Sequence, residues 1–198
     1  MRNVCNSVTR PNPAPCTIAF ALLGALLAGI FIWLFLPGAG PPDYGKLTFE
    51  DEKGGKVRLS DLADRPVMLH FFTTWCDECE TMAPAVAAVG STMTNNLRVI
   101  GVSLDLIPDF QLSDGTFDPE TRLEDVRRFA RRHGFTHPIL FDRRGHAAAP
   151  LNGYEVPVQT LFDAETRLVR RFTGTRTEAG LRQILTVCLE ETRRDSSL

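Results

Sequence analysis

The sequence predicts an α/β fold, in which a central mixed sheet is covered on both faces, flanked by helices, and preceded by a hairpin and one N-terminal transmembrane helix. Three observations support this architecture. Two nearly continuous apolar runs, at 66–73 and 97–104, are typical of strands buried on both faces. Amphipathic helical patterns at 122–133 and 177–192 alternate with strand patterns. An uncharged run at 17–36 is long enough to cross a bilayer.

The apolar run at 17–36 is interpreted as an uncleaved anchor. At 1.5 Å per residue, a helix of this length spans roughly 30 Å, the thickness of the hydrocarbon core. Trp33 lies near one end, where interfacial aromatic side chains collect. The alternative is a cleaved signal peptide, whose apolar core is usually about 7–15 residues long. Residues 37–45, rich in Pro and Gly, form a linker.

The charges beside the apolar run predict its orientation. Arg2 and Arg10 precede it without any acidic residue, whereas acidic residues predominate just after it. The positive-inside rule therefore places residues 1–16 in the cytoplasm. It places a domain at 46–192, followed by a tail at 193–198, on the periplasmic side of a bacterial inner membrane that the chain crosses once.

Strand and helix patterns alternate along the rest of the chain. Two short alternating segments separated by a turn predict a hairpin at 46–59. The buried strand at 66–73 is followed by a helix at 77–89, and residues 106–121 are interpreted as an inserted polar loop. The remaining expected elements are a strand at 138–141, helical turns at 146–151, and strands at 158–162 and 167–172, which a short turn makes antiparallel.

Charge and cysteine content exclude two classes of protein. The 22 basic residues are scattered and balanced by 24 acidic ones, so no nucleic-acid surface is expected. Five cysteines are too few for a small disulfide-stapled domain. Only Cys76 and Cys79 lie close together in the sequence; the others are Cys5, Cys16 and Cys188.

Cys76 and Cys79 form a Cys-x-x-Cys pair between a buried strand and a helix. The first cysteine of such a pair lies at the helix N-terminus, where backbone N–H groups and the helix dipole stabilise a thiolate. The second lies one turn further on, so the pair suits thiol–disulfide exchange through a mixed disulfide. A structural zinc site would need four ligands, and neither a second Cys-x-x-Cys pair nor a histidine paired with Cys188 supplies them.

The residues around this pair resemble those of the thioredoxin superfamily. Trp75 precedes the first cysteine, Pro84 stands five residues after the second, and Pro157 precedes a strand at the position of the family's cis-proline loop. Over residues 44–190 the chain is most similar to the membrane-anchored reductases of the TlpA/ResA type, whose N-terminal extension the hairpin resembles. The resemblance implies a thioredoxin-like fold.

The resemblance also implies an activity. It suggests a thiol-disulfide oxidoreductase that reduces cysteine pairs in exported client proteins, such as apocytochrome c or other metalloprotein precursors. Cys76 would attack, Cys79 would resolve the mixed disulfide, and Pro157 would follow a cis peptide bond that presents backbone groups to the client. Electrons would come from a membrane thiol reductase, because the chain has no nucleotide or flavin motif; no metal or other cofactor is expected.

Two departures from the family affect the expected chemistry. Asp77 and Glu78 fill the gap between the cysteines, where family members often carry a proline before the second cysteine. Their negative charges should oppose ionisation of Cys76, which makes the disulfide a poorer oxidant and predicts a reductant. Both acids also suit a helix N-terminus on structural grounds alone. Met82 occupies a position where these reductases often carry a glutamate.

His70 lies on the buried strand six residues before Cys76, where thioredoxin carries a buried acid. One interpretation makes His70 a proton shuttle for Cys79, since histidine titrates near neutral pH. The other makes it a buried histidine with a backbone hydrogen bond. The candidate catalytic residues are therefore Cys76, Cys79, Pro157, Trp75 and His70.

Three other functions compete with thiol exchange. A Sco-like copper chaperone shares the anchor and the fold, but needs three residues between its cysteines and a downstream histidine ligand; here the gap is two. A peroxiredoxin-like peroxidase is suggested by Thr73 three residues before Cys76, but Leu69 occupies the position of that family's proline. In the third case the cysteines only staple a non-catalytic interaction module.

Overall fold

The computed structural model describes residues 42–110 and 117–195. The predicted cytoplasmic segment at 1–16 and membrane span at 17–36 lie outside these residues, as does the centre of the predicted loop at 106–121. In the two described ranges, no helix combines the length and the apolar character that crossing a membrane requires.

Within the described ranges, seven strands form one mixed sheet: β1 (Thr48–Glu50), β2 (Lys56–Arg58), β3 (Val67–Phe72), β4 (Arg98–Ser103), β5 (Ile139–Phe141), β6 (Val158–Phe162) and β7 (Leu168–Thr173). Their order across the sheet is β2-β1-β5-β4-β3-β6-β7. The central strands β3, β4 and β5 run parallel, and the other neighbours are antiparallel. β1 and β2 pair as an antiparallel hairpin.

The described part also contains three α-helices, α1 (Asp77–Thr92), α2 (Pro119–His133) and α3 (Glu178–Asp195), and four 3-10 helices at Tyr44–Lys46, Leu59–Leu62, Pro108–Phe110 and Ala149–Leu151. α2 begins three residues earlier than predicted, because Asp118 accepts hydrogen bonds from the N–H groups of Glu120 and Thr121, and Pro119 takes the first helical position. The loop expected at 106–121 is correspondingly shorter and includes a 3-10 turn.

The two faces of the sheet are covered by different elements. On one face, Met68 and Phe72 of β3 pack with side chains of the three α-helices. On the opposite face, Leu69 and Phe71 pack with the hairpin, with the 3-10 helices and with apolar side chains of residues 143–157. β4 lies next to β3, and β5 lies next to β4 on the far side from β3. Because crossovers between parallel strands are right-handed, the two connections place α1 and α2 on the same face of the sheet. The prediction of two covered faces therefore holds, although the second cover contains 3-10 helices in place of α-helices.

The carboxyl ends of the three parallel strands lie at one edge of the sheet. β3 and β4 end opposite one another, with Phe72 paired to Ser103, and Ser103 is paired to Phe141 of β5. Cys76 follows β3, Asp105 follows β4 and Asp142 follows β5. This edge therefore brings the cysteine pair close to the residues that follow the two neighbouring strands.

Candidate active site

Cys76 is the N-cap of α1. Its backbone has the extended conformation typical of a cap (φ −98°, ψ 114°), and its Sγ accepts a hydrogen bond from the N–H of Cys79 at 3.1 Å. A sulfur in this position receives the partial positive charge of the helix terminus. The local fold therefore favours the thiolate form of Cys76 in the reduced protein.

Cys76 and Cys79 are joined by a disulfide, with Cα atoms 5.1 Å apart. Cys76 retains 8% of its surface, whereas Cys79 is fully buried. Cys76 is therefore the sulfur that a partner can reach, and Cys79 is placed to resolve a mixed disulfide from inside. Attack by Cys76 and resolution by Cys79 remain predictions, and the difference in burial is compatible with them.

The peptide bond between Val156 and Pro157 is cis, as the resemblance implied. The carbonyl oxygen of Val156 lies 3.9 Å from Cys76 Sγ, and the buried Pro157 accepts a hydrogen bond from the N–H of Gly174 at 3.1 Å. The loop before β6 is thus anchored to the end of β7 and contacts the disulfide with its backbone. This placement suits a loop that offers main-chain hydrogen bonds to an extended peptide.

Trp75 is exposed beside the disulfide, with 37% of its surface accessible. Its ring lies 5.7 Å from that of Phe110, which in turn lies 5.2 Å from that of Tyr154. The hydroxyl of Tyr154 donates a hydrogen bond to the carbonyl of Gly145 at 3.0 Å. Any Cβ at Gly145 would overlap that hydroxyl, and its φ of +71° also favours glycine. Aromatic side chains from three loops thus form one apolar surface next to Cys76.

His70 is fully buried on the helix-covered face of the sheet. Its Nδ1 lies 3.2 Å from Nε2 of Gln159, and its ring stacks on Phe72. Burial, together with repulsion from the imidazole of His137, lowers the pKa of His70 to about 3. A group with this pKa stays neutral at physiological pH and is poorly matched to the uptake of a proton there. This observation favours the structural interpretation of His70.

The acidic residues at the start of α1 have different surroundings. Asp77 and Glu78 are exposed in the first turn. Glu80 lies within 3.0 Å of Arg132 and 3.1 Å of His133 at the end of α2. Desolvation raises the pKa of Glu80, but its bonds to these two partners outweigh that effect and leave the pKa below its usual value. Glu80 is thus paired with side chains of α2, whereas Asp77 and Glu78 lie exposed next to Cys76.

Asp105 is a buried carboxylate at this site that sequence reasoning missed. It is completely buried, and it accepts hydrogen bonds from the backbone N–H of Thr74 at 3.0 Å, from the hydroxyl of Thr74 at 2.6 Å and from the hydroxyl of Ser103 at 2.9 Å. Thr74 is two residues before Cys76. One signal could have revealed Asp105, because an acid directly after a buried parallel strand lies at the edge where ligands and reactive groups collect.

Cys188 takes no part in this site. It is buried on α3 in the apolar cluster with Leu181 and Leu185, and burial raises the pKa of its thiol. Met82 is buried one turn after Cys79, where its sulfur accepts a hydrogen bond from the N–H of Arg176 at 3.2 Å. Among the residues that the structure describes, no three His, Cys, Asp or Glu side chains are grouped so that they could hold a metal ion.

The fold and the accessible disulfide define a thiol-disulfide oxidoreductase of the thioredoxin fold. Comparison with known proteins agrees with this class. The model of the AhpC/TSA family matches residues 42–187, and this chain belongs to that family.

One of the named relatives is itself a thiol-disulfide oxidoreductase. The chain is 30% identical to the thiol-disulfide oxidoreductase ResA of Geobacillus thermodenitrificans, over 75% of each chain. It is 27% identical to the thioredoxin-like protein YneN of Bacillus subtilis, over 75% of this chain and 78% of that protein. Among solved structures, a secreted disulfide oxidoreductase of Mycobacterium tuberculosis shares the fold with a TM-score of 0.55 at 17% identity, covering 71% of this chain and 95% of that one.

Proposed function

We propose that this protein reduces disulfides in exported proteins, from the extracytoplasmic side of the membrane. The observation that carries this proposal is the position of Cys76, which keeps 8% of its surface whereas Cys79 keeps none, beside the exposed side chains of Asp77 and Glu78. Hydrogen bonding by Cys79 and the helix dipole favour the Cys76 thiolate, and the two negative charges oppose it. Where the thiolate is less stabilised, the dithiol form is less stable and donates electrons more readily.

The reaction proceeds by two successive exchanges. The Cys76 thiolate attacks one sulfur of the client disulfide, and the other client sulfur leaves as a thiolate that takes up a proton. The Cys79 thiol then loses its proton and attacks Cys76 in the mixed disulfide, which releases the second client sulfur. The client gains two electrons and two protons, and the protein is left with the Cys76–Cys79 disulfide.

The residues around the disulfide support binding of an extended client. The Val156 carbonyl lies beside Cys76 Sγ and can accept a hydrogen bond from a client backbone N–H. Trp75, the residue before Cys76, provides an exposed apolar surface that Phe110 connects to Tyr154. We infer that a client segment contacts this surface and the backbone of the loop at 154–157 while exchange takes place.

The anchor and the electron donor complete the proposal. The apolar run at 17–36 would hold the catalytic domain at the outer surface of a bacterial inner membrane, and a membrane thiol reductase would return the disulfide to the dithiol. A reporter enzyme that is active only outside the cytoplasm, fused after residue 198, tests the orientation. Reporter activity is expected, and its absence in cells that make the full-length fusion would contradict the orientation.

The reducing direction is tested on a peptide that carries an oxidised Cys-x-x-Cys-His sequence, the haem-attachment motif of c-type cytochromes. The full chain in detergent is reduced with dithiothreitol, freed of the reagent and mixed with the peptide in equal amounts. We expect most of the peptide to be reduced, and the Cys76→Ser variant to leave it oxidised. Faster oxidation of the reduced peptide by the disulfide form would contradict the proposed direction.

A further inference from the structure

Asp105 is tied directly to the segment that carries the reactive cysteine. Both of its carboxylate oxygens lie within 3.2 Å of the N–H of Thr74, and Oδ1 also accepts from the Thr74 hydroxyl. Oδ2 accepts from the hydroxyl of Ser103, whose Oγ in turn accepts from the N–H of Asp105. Three donor groups thus converge on one carboxylate, and two of them belong to the residue two positions before Cys76.

Such a buried carboxylate is costly for the fold. Removal of a carboxylate from water disfavours its charged form, and burial raises the pKa of Asp105 even though Thr74, Ser103 and the guanidinium of Arg122 on α2 each act in the opposite direction. A neutral amide could accept the same bond from the Thr74 N–H without this cost. Maintenance of the loop conformation therefore does not by itself require a charge at residue 105.

We propose that Asp105 is a positioning residue of the dithiol reaction, which fixes the segment at 73–76 and places a buried negative charge behind Cys76. This charge opposes the Cys76 thiolate, as the exposed Asp77 and Glu78 also do. A buried charge is screened less by water and salt than an exposed one. Asp105 thus contributes to the reducing character of the site, and this inference rests on the proposed function.

Asp142 is a matched reference for Asp105. It also follows a parallel strand, it is 3% exposed, and it accepts hydrogen bonds from the N–H groups of Ala147 and Ala148 at 2.9 and 2.7 Å. Its backbone partners lie in residues 143–157, on the face of the sheet opposite the α-helices, whereas the backbone partner of Asp105 belongs to the reactive loop. Any general effect of removing a buried charge from this edge of the sheet should therefore appear whether Asp105 or Asp142 is replaced.

The test compares Asp105→Asn and Asp142→Asn in the full chain in detergent. For each, the equilibrium with reduced and oxidised glutathione is measured, and the pKa of the Cys76 thiol is obtained from its alkylation rate against pH. Asp105→Asn is expected to shift the equilibrium about tenfold toward the dithiol, or ~30 mV, and to lower the thiol pKa. Asp142→Asn is expected to stay within about twofold of the wild type.

Two results would overturn the inference: an Asp105→Asn protein that matches the wild type, or equal shifts in both variants. If the wild-type disulfide itself fails to exchange with glutathione, the proposed function fails, and the alkylation profile of the chemically reduced protein still decides the role of Asp105. If Asp105→Asn does not fold, Thr74→Val carries the test, since it removes only a half-buried hydroxyl. It should slow reduction of the oxidised peptide at least about threefold, and an unchanged rate would overturn the positioning role.

Discussion

The helices α1 and α2 pack on the same face of the sheet but begin in different ways. α2 starts at Asp118, whose carboxylate caps two backbone N–H groups, continues with proline at its first position, and ends at Gly134 in the left-handed conformation. α1 starts at a cysteine whose sulfur serves as the cap, and it contains Pro84 within its length. The cap, the first residue and the C-terminal glycine of α2 all stabilise a helix, whereas the cysteine cap and the internal proline of α1 are unusual in one.

The two helices also differ in the kind of side chain that they bury. α2 contributes Leu123, Val126 and Phe129 to an apolar cluster. α1 and its cap contribute Cys76, Cys79 and Ala83 to the same cluster, so the reactive pair forms part of the buried surface of α1. Departures from local rules concentrate where a protein performs chemistry. The contrast therefore points to the start of α1 as the functional part of this face.

The largest expected effect is the loss of exchange when either cysteine is replaced. Cys76→Ser should abolish reduction of the oxidised peptide, because a hydroxyl cannot form the mixed disulfide. A serine oxygen can still accept the bond from the Cys79 N–H, so the helix should keep its cap. Cys79→Ser should trap a mixed disulfide with the peptide, visible as a mass increase that dithiothreitol reverses. Normal turnover in either variant would show that the start of α1 is not the reactive part of the protein.

The second effect concerns His70, which is fully buried on β3. The pKa of His70 is lowered to about 3 by burial first and by His137 second, whereas an unfolded chain titrates near 6.5. The unfolded state therefore binds the proton first, and stability is lost as the pH falls below about 6.5. The loss is about 2 kcal/mol at pH 5. His70→Asn should flatten this part of the stability profile in urea unfolding.

The same variant separates the two interpretations of His70. A buried, neutral histidine predicts an unchanged alkylation rate of Cys76 against pH after His70→Asn. A displaced profile would instead identify His70 as a group that exchanges protons with the cysteines.

A smaller effect is expected from the exposed acids of α1. Replacing both Asp77 and Glu78 by their amides should lower the pKa of the Cys76 thiol and move the glutathione equilibrium about tenfold toward the dithiol. The matched control is Glu120→Gln in the first turn of α2, which removes an acid from a helix start that carries no cysteine. Equal shifts in the double variant and in the control would mean that the charge effect is not local to α1.

The smallest effect is structural and belongs to α2. Asp118→Ala removes the side chain that caps the N–H groups of Glu120 and Thr121 and should lower the free energy of unfolding by about 1 kcal/mol. The glutathione equilibrium should not change, because this cap does not contact the cysteines. A changed glutathione equilibrium with an unchanged free energy of unfolding would contradict the view that α1 carries the chemistry and α2 only stabilises the fold.

The sequence predicted most of the elements and the chemistry for identifiable reasons. Continuous apolar runs mark β3 and β4, and the Cys-x-x-Cys pair marks the start of α1. The sequence did not predict that the three α-helices pack on the same face of the sheet. That arrangement depends on the order of the strands across the sheet. Asp105 was missed since its partner, Thr74, lies 31 positions away in the sequence, and only the pairing of β3 with β4 brings the two together.

The reduction potential of the Cys76–Cys79 pair is the most direct measure of whether this protein is a reductant. The full chain in detergent is equilibrated with dithiothreitol or glutathione buffers, and the dithiol fraction is read from the fluorescence of Trp75, which lies next to the pair. The two exposed acids and the buried Asp105 predict a potential near or below that of thioredoxin, about −270 mV. A potential near −120 mV, that of a strong oxidant, would contradict the account.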